Sequence, residues 1–157
     1  MTSLPEKVIT LSNKLFTNQN DKHEVDELLN HIVRVKGELD FEKLALHLLK
    51  LCNRNISKLK LYLSYLEMEL TLTQRLFSAK LATDLYGNKI TYNEFVTFYP
   101  EASQDAQIEE LFSLIEHEPG EGGIFGISKT QKEDYMNKIF LLISDLEKEK
   151  KLRLKLD

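Results

Sequence analysis

Hydrophobic residues recur along most of the chain at intervals of three and four positions, the spacing that places them on one face of an α-helix. The pattern is clearest over 25–33, where five apolar residues form one stripe and Gly37 follows as a stop. Asp40 stands where it would cap the next helix. We therefore predict an all-α fold, a single-domain bundle of six to seven helices that spans residues 1–157.

The segment 57–82 is the hardest to assign. Its first leucines alternate with polar residues, as they would in a β-strand. At 100° per residue, however, polar positions such as Lys60, Glu67 and Gln74 fall on one narrow side of a helix, and no turn residue interrupts the run. We predict a long central helix near 57–82, while the choice between helix and strand over 58–73 stays open.

The stretch YGNKITYNEF, residues 86–95, resembles the second half of a calcium-binding loop. Such a loop needs oxygen ligands at its third and fifth positions, where this chain has Leu85 and Gly87. A helix stop at Gly87 in a left-handed conformation explains the same residues. Thr91 and Glu94 then form a T-x-x-E capping box for the helix that follows. We predict two helix ends here and no calcium site.

Two further segments are predicted to lie outside regular packing. Residues 118–128 hold four of the six glycines and are predicted to form a Gly-rich loop. Ile124 and Phe125 stand among these glycines as an apolar tip that can dock into the core or into a partner. The last helix is predicted to start near Ser128 or Thr130, because S-K-T-Q and T-Q-K-E are both possible capping boxes. The charged end, 148–157, is predicted to fray.

Composition narrows the class of protein. Hydrophobic residues make up 42% of the 157 and charged residues 29%, which is typical of a globular protein. The single cysteine, Cys52, excludes a disulfide framework and a multi-cysteine zinc site, and its apolar surroundings predict a buried residue in a reducing compartment. The chain shows no secretory pattern and no apolar window of membrane-spanning length, so we predict a cytoplasmic protein.

Motifs that carry catalysis are missing from the sequence. It contains no H-E-x-x-H, G-x-S-x-G, phosphate-loop or C-x-x-C pattern. His23, Glu27 and His31 share one predicted helix face and would need further ligands to hold a metal, so a solvated surface explains them better. We predict no catalytic residue, no metal and no cofactor. The helix after Thr91 lacks Lys and Arg, which argues against specific nucleic-acid binding.

Charge is distributed unevenly. Residues 90–128, here called the acidic segment, hold eight Asp or Glu and no Lys or Arg, whereas the whole chain has a net charge of −4. Residues 1–89 and 129–157 are each slightly basic. The acids of this segment either pair with the Lys-rich remainder of the chain or form a recognition surface for a basic protein, because complementary potentials favour association.

We therefore predict a non-enzymatic protein-binding module, of the inhibitor, immunity-type or adaptor kind, whose partner is a protein with a basic surface. The predicted partner-binding residues are Glu101, Asp105, Glu109, Glu110, Glu116, Glu118, Glu121, Ile124 and Phe125. Two alternatives stay open at this stage: a small helical enzyme with a site assembled from distant residues, and a structural homo-oligomer. The pattern predicts no membrane partner and leaves the oligomeric state undetermined.

Overall fold

The computed structural model describes residues 4–101, 103–120, 122 and 126–156, with side chains through Lys148. It confirms the all-α class and contains eight helices over these residues, where six to seven were predicted. The helices are α1 (Glu6–Leu15), α2 (Gln19–Lys36), α3 (Phe41–Leu51), α4 (Ile56–Thr71), α5 (Gln74–Tyr86), α6 (Tyr92–Phe98), α7 (Ala106–Glu116) and α8 (Lys129–Leu156).

The helices fall into two compact units, of which the first is Met1–Thr71. Within it α1 packs on α3 and α2 packs on α4. The apolar stripe predicted over 25–33 supplies much of the core, since Val25, Leu29 and Ile32 have no exposed surface. Each fully buried side chain of this size contributes about 1.5–3 kcal/mol relative to an exposed one.

The second unit is Leu72–Asp157. Here α5 and α7 both pack on α8, and α6 packs on α5. Its core contains side chains with 2% exposed surface or less, namely Phe77, Leu81, Phe95, Ile108, Leu111 and Ile139. The division into units leaves the single-domain organisation over residues 1–157 a prediction.

The predicted continuous helix near 57–82 is wrong, because the chain breaks it between Thr71 and Gln74. Residues up to Thr71 are helical, which settles the choice between helix and strand for that stretch. Thr73 then adopts an extended backbone, φ −68° and ψ 159°, and its hydroxyl accepts a hydrogen bond from the Leu76 N–H at 3.2 Å. A threonine cap thus starts a new helix in the middle of an otherwise periodic pattern.

Two other predicted helix ends are corrected by the structure. Asp40 occupies the position before α3, but it is in the left-handed region at φ 62° and its side chain makes no capping hydrogen bond. Gly87 follows α5 with φ −83°, and the left-handed conformation falls instead on Asn88 at φ 59°. Asparagine tolerates that conformation because its short polar side chain can hydrogen-bond locally.

The capping boxes predicted at Thr91 and at Ser128 are confirmed, whereas Thr130, the alternative start of the last helix, lies inside α8. At the start of α6 the Thr91 N–H donates to Glu94 Oε1 at 2.8 Å, and the Glu94 N–H donates to Thr91 Oγ1 at 3.2 Å. At the start of α8 the Ser128 N–H donates to Gln131 Oε1 at 3.0 Å, and the Gln131 N–H donates to Ser128 Oγ at 3.1 Å. Each cap satisfies backbone N–H groups that have no partner inside the helix.

The predicted loop and chain end are only partly described. Residues 118–120, 122 and 126–128 lie outside helices, and the Gly122 N–H donates to the Ile127 carbonyl at 3.1 Å. The apolar tip, Ile124 and Phe125, lies outside the described residues. The backbone of α8 is helical to Leu156, and fraying over 148–157 stays a prediction.

Two expectations drawn from composition can be compared with the structure. Cys52 is 1% exposed, as predicted, and its Sγ lies 3.0 Å from the Leu49 carbonyl oxygen. Burial raises the pKa of this thiol, so it is a core residue and not a reactive thiolate. Among the described helices, none combines the length and the apolar character needed to cross a membrane.

Candidate functional site

Three of the eight acids in the acidic segment serve the fold itself. Glu94 is 2% exposed and completes the α6 capping box. Asp105 and Glu118 each form an ion pair within the second unit. The two ion pairs support the interpretation that the acidic segment partly balances basic residues of the same chain.

Asp105 joins the start of α7 to α5. Its Oδ1 accepts the Gln107 N–H at 3.0 Å, and its Oδ2 accepts a hydrogen bond from Arg75 at 2.6 Å. The same guanidinium donates to Gln107 Oε1 at 2.6 Å, so both charged groups are held in one geometry. Partial burial opposes ionisation of Asp105, but the bonds from Arg75 and from Gln107 outweigh it and hold the pKa of this carboxyl below its ordinary value.

Glu118 joins the end of α7 to α5 and α8. It accepts a hydrogen bond from the Tyr86 hydroxyl at 2.7 Å and pairs with Lys132 at 3.1 Å. Lys132 also donates to the Pro119 carbonyl at 2.6 Å, which fastens the chain where it leaves α7. Burial, and then the bond to Glu118, raise the pKa of Tyr86, so this phenol stays neutral and remains a donor.

Four other acids of the segment face solvent. Each is exposed, and no described Lys or Arg lies within ion-pair distance of any of them; they are Glu101, Glu109, Glu110 and Glu116. The remaining predicted partner-binding residues, Glu121, Ile124 and Phe125, lie outside the described part of the chain. Among the described acids of the segment, the unpaired charge therefore resides on the α6–α7 connection and on α7.

A surface pocket lies beside two of these glutamates, Glu101 and Glu109. Its volume is about 260 Å³, and it is here called the α6–α7 pocket. The lining residues come from the end of α6, the connection that follows it and the first half of α7: Val96, Tyr99, Pro100, Glu101, Ser103, Glu109 and Phe112. Four of the seven are apolar or aromatic, and two are among the unpaired glutamates.

The aromatic side of the pocket is formed by rings that pack on one another. Tyr99 and Phe112 have ring centroids 5.2 Å apart, and the fully buried Phe95 lies behind them at 4.9 and 6.1 Å. The Tyr99 hydroxyl donates to the Ile108 carbonyl at 2.5 Å. Burial, and then the nearby charge of Asp105, raise the pKa of Tyr99, so that this donor is retained. Contacts among these three rings, together with the hydrogen bond of Tyr99, join α6 to α7 beside the pocket.

The polar groups of the pocket differ in whether they are already engaged in hydrogen bonds within the chain. Ser103 Oγ donates to Gln74 Oε1 at 3.3 Å and accepts the Asp105 N–H at 3.1 Å, so its hydroxyl is occupied. The carboxylates of Glu101 and Glu109 accept no hydrogen bond from the described residues. The pocket therefore presents an apolar interior beneath two hydrogen-bond acceptors that carry negative charge.

The geometry of α7 separates the predicted residues into two groups. Glu116 follows Glu109 by seven residues, close to two helical turns, so both lie on the flank that also presents Phe112. Glu110 is rotated by about 100° from Glu109 and lies on a different flank. Glu109 therefore lines the pocket, Glu116 lies on the same flank of α7 outside the lining residues, and Glu110 lies on a different flank.

A second cavity has a different electrostatic character. It has a volume of about 300 Å³ and is lined by residues of α5, α6 and α7 and by the residues that flank α5 and α7: Leu85, Tyr86, Asn88, Tyr92, Ile115 and Glu118. Its single acid is Glu118, whose carboxylate already binds Tyr86 and Lys132. A carboxylate with two internal partners has little attraction left for a ligand, so this cavity is the weaker candidate.

The histidines of α2 do not converge with further ligands. His23 Nε2 lies 3.1 Å from Glu27, whereas His31 Nε2 lies 3.4 Å from Glu67 of α4. Each pair is largely exposed. Within the described ranges, no group of three or more His, Cys, Asp or Glu side chains is close enough to share a metal ion.

The sequence predicted only part of the α6–α7 pocket. Its two glutamates belong to the predicted partner-binding set, but Val96, Tyr99 and Phe112 were not predicted to join them. The aromatic run VTFYP, which precedes the acids, was the signal that could have indicated an apolar recess. In comparisons with protein-family models, with curated proteins and with solved structures, the chain matches none.

Proposed function

We propose that this protein is a non-enzymatic binding module, acting as an inhibitor, immunity-type protein or adaptor, and that it recognises a basic protein partner. The recognition surface, here called the acidic pocket face, consists of the α6–α7 pocket, which Glu101 and Glu109 line, and of Glu116, which lies on the same flank of α7 about two turns further along. Glu110 and the internally paired Asp105 and Glu118, all predicted from the sequence to bind the partner, have no part in this proposal.

One observation carries the proposal: an apolar pocket is bordered by carboxylates that no described basic residue neutralises. Interfaces between proteins are commonly built this way, with apolar and aromatic residues at the centre and charge at the rim. The rim charges steer a partner of opposite sign and select against acidic proteins. A solvated surface without function needs no preformed recess between its charges.

The experiment compares two charge-reversed baits. The tagged full chain is expressed in its native cells and recovered at low and at moderate salt, together with a Glu109→Lys/Glu116→Lys variant and a Glu110→Lys variant. We expect one near-stoichiometric protein with the wild-type bait, reduced as salt rises because screening weakens exposed charge pairs. We expect the double variant to lose this protein and Glu110→Lys to retain it.

Charge reversal must leave the fold intact for this comparison to hold. All three glutamates are exposed, so the circular dichroism spectra are expected to match that of the wild type. The free energies of unfolding measured in urea are expected to agree within about 0.5 kcal/mol. Equal recovery of the partner by the double variant and the wild type, with both folded, would exclude the acidic pocket face. Loss with Glu110→Lys alone would place recognition on another flank of α7.

The homo-oligomer remains an alternative because of two neighbouring residues of α8. Phe140 is 49% exposed and Leu141 66%, which is unusual for large apolar side chains beside each other. If they join two copies, the mass in solution is twice that of the chain, and Leu141→Glu returns it to 18.3 kDa. A wild-type mass of 18.3 kDa at all concentrations would remove this alternative. No comparable observation favours the enzyme alternative.

A further inference from the structure

The α6–α7 pocket is a small recess. Its volume of about 260 Å³ is below the range of roughly 300–1,000 Å³ that small-molecule sites occupy. Interfaces often concentrate their binding energy in one long residue that inserts into such a recess. A recess of this volume can take one long side chain of a partner protein.

The hydrogen-bond inventory of the pocket defines what that residue must carry. Tyr99 and Ser103 already donate their hydroxyl hydrogens to other groups of the chain. Glu101 and Glu109 are acceptors and bear negative charge. An occupant must therefore bring donors and a positive charge at one end, and an apolar stem that fits against Val96.

We propose that the α6–α7 pocket is an anchor site for an arginine side chain of the partner. This inference rests on the proposed function and names the group that the acidic pocket face recognises. The two carboxylates come from different parts of the chain, Glu101 from the α6–α7 connection and Glu109 from α7. A guanidinium has five donors in one plane, so it binds two carboxylates with its edge while its face covers Phe112.

Lysine satisfies these conditions less well. Its ammonium is compact and strongly hydrated, and it has no planar face to place over an aromatic ring. Arginine also predominates over lysine in cation–π contacts and among the residues that dominate interface energies. The pocket combines an aromatic ring, Phe112, with two separate carboxylates, and this combination favours guanidinium over ammonium.

The test uses three blocked tripeptides with glycine on each side of arginine, lysine or citrulline. Citrulline keeps the shape of arginine but has no charge. Each is titrated into the full-length protein while NMR follows the methyl groups of Val96 and the ring of Phe112. We expect saturable shifts with arginine, at a Kd on the order of millimolar because one residue supplies all the contacts. Lysine is expected to bind at least fivefold more weakly, and citrulline not measurably.

Neutral variants locate the interaction. Glu109→Gln and Glu101→Gln preserve size and each removes one charge at the pocket, so each is expected to raise the Kd for the arginine peptide at least fivefold. Glu110→Gln removes the same charge from the adjacent position of α7, outside the pocket, and is expected to leave the Kd unchanged within twofold. The pair Glu109 and Glu110 thus separates a local contact from a general effect of net charge.

Three results would overturn the anchor. They are the absence of shifts at Val96 and Phe112, equal affinity for the lysine and arginine peptides, and equal weakening by Glu109→Gln and Glu110→Gln. If any of these occurs while Glu109→Lys/Glu116→Lys still loses the partner, the protein binds through its acidic surface without an arginine anchor. If the arginine peptide binds as expected but the Glu109→Lys/Glu116→Lys variant still recovers the partner, the pocket recognises arginine, but the proposed function fails and the pocket is not the anchor site for that partner.

Discussion

At the scale of single residues, Asp105 is an acid whose carboxylate binds groups of its own chain and is therefore not available to a partner. The carboxylate caps α7 through the Gln107 N–H and holds Arg75 at 2.6 Å. Its two oxygens are therefore occupied inside the second unit, although the side chain is 27% exposed. An acid in this setting stabilises the start of α7 and has little remaining capacity for a partner.

We predict that Asp105→Asn removes the negative charge and keeps the helix cap, so that it measures the contribution of the charge to stability. Asparagine caps a helix about as well as aspartate, so the variant loses mainly the pair with Arg75, and the free energy of unfolding at neutral pH falls by about 0.5–1 kcal/mol. The folded-state pKa of Asp105 is below its ordinary 3.8. The stabilisation is therefore complete above that value and is lost as the pH falls through the folded-state pKa.

Urea unfolding of both proteins at several pH values measures this. The gap between wild type and Asp105→Asn is expected to be largest at neutral pH and to close below pH 3.8. Glu110→Gln serves as the matched control, since Glu110 is exposed and has no ion pair with any described residue, and its gap stays within about 0.5 kcal/mol throughout. A gap for Asp105→Asn that persists unchanged in acid would show that the charge pair does not stabilise the fold.

At the scale of helices, the break between α4 and α5 is a feature that the spacing of polar and apolar residues did not predict. The polar positions of 57–82 fall on one side of a continuous helix, yet the chain turns at Thr73. Threonine is a good N-cap but is also tolerated inside helices, so the residue alone does not mark a break. The tertiary packing of α5 on α8 decides between the two, and that contact joins residues far apart in the sequence.

Local signals with two reciprocal partners were more reliable than single residues. Thr91 with Glu94 and Ser128 with Gln131 form the predicted capping boxes, because each box satisfies two backbone N–H groups within four residues. Asp40 has no such second partner, and its backbone turns left-handed without a cap. The two acids of the α6–α7 pocket were predicted on charge, whereas its aromatic side depends on the packing of Tyr99 and Phe112 and was not.

Thr73 provides a direct test of the break. We predict that Thr73→Ala lowers the free energy of unfolding by about 1 kcal/mol, because the hydrogen bond to the Leu76 N–H is lost. Thr71→Ala, two residues earlier and exposed at the last position of α4, is the matched control and is expected to change stability by less than about 0.5 kcal/mol. Equal effects of the two substitutions in urea unfolding would mean that the Thr73 hydroxyl does not cap α5.

At the scale of the whole molecule, charge and packing are organised within the same unit. The acidic segment, 90–128, lies entirely in Leu72–Asp157, together with the cations that pair with Asp105 and Glu118. The α6–α7 pocket is also lined only by residues of this unit. The elements needed for the proposed recognition are therefore contained in one contiguous stretch of about half the chain.

This containment predicts that residues 72–157 fold without the preceding helices. The stretch has its own buried core, which includes Phe77, Leu111 and Ile139, and it is longer than the roughly 55–65 residues at which many domains fold alone. We expect a cooperative unfolding transition in urea when circular dichroism is used to follow it.

The control is Leu111→Ala in the same fragment. Its side chain is fully buried, so the substitution should lower the free energy of unfolding by about 2–5 kcal/mol. Such a loss would show that the transition reports the α5–α8 core. A fragment that is helical but melts without a cooperative transition, and is insensitive to Leu111→Ala, would favour the single domain over 1–157, with the core of α5–α8 depending on the rest of the chain.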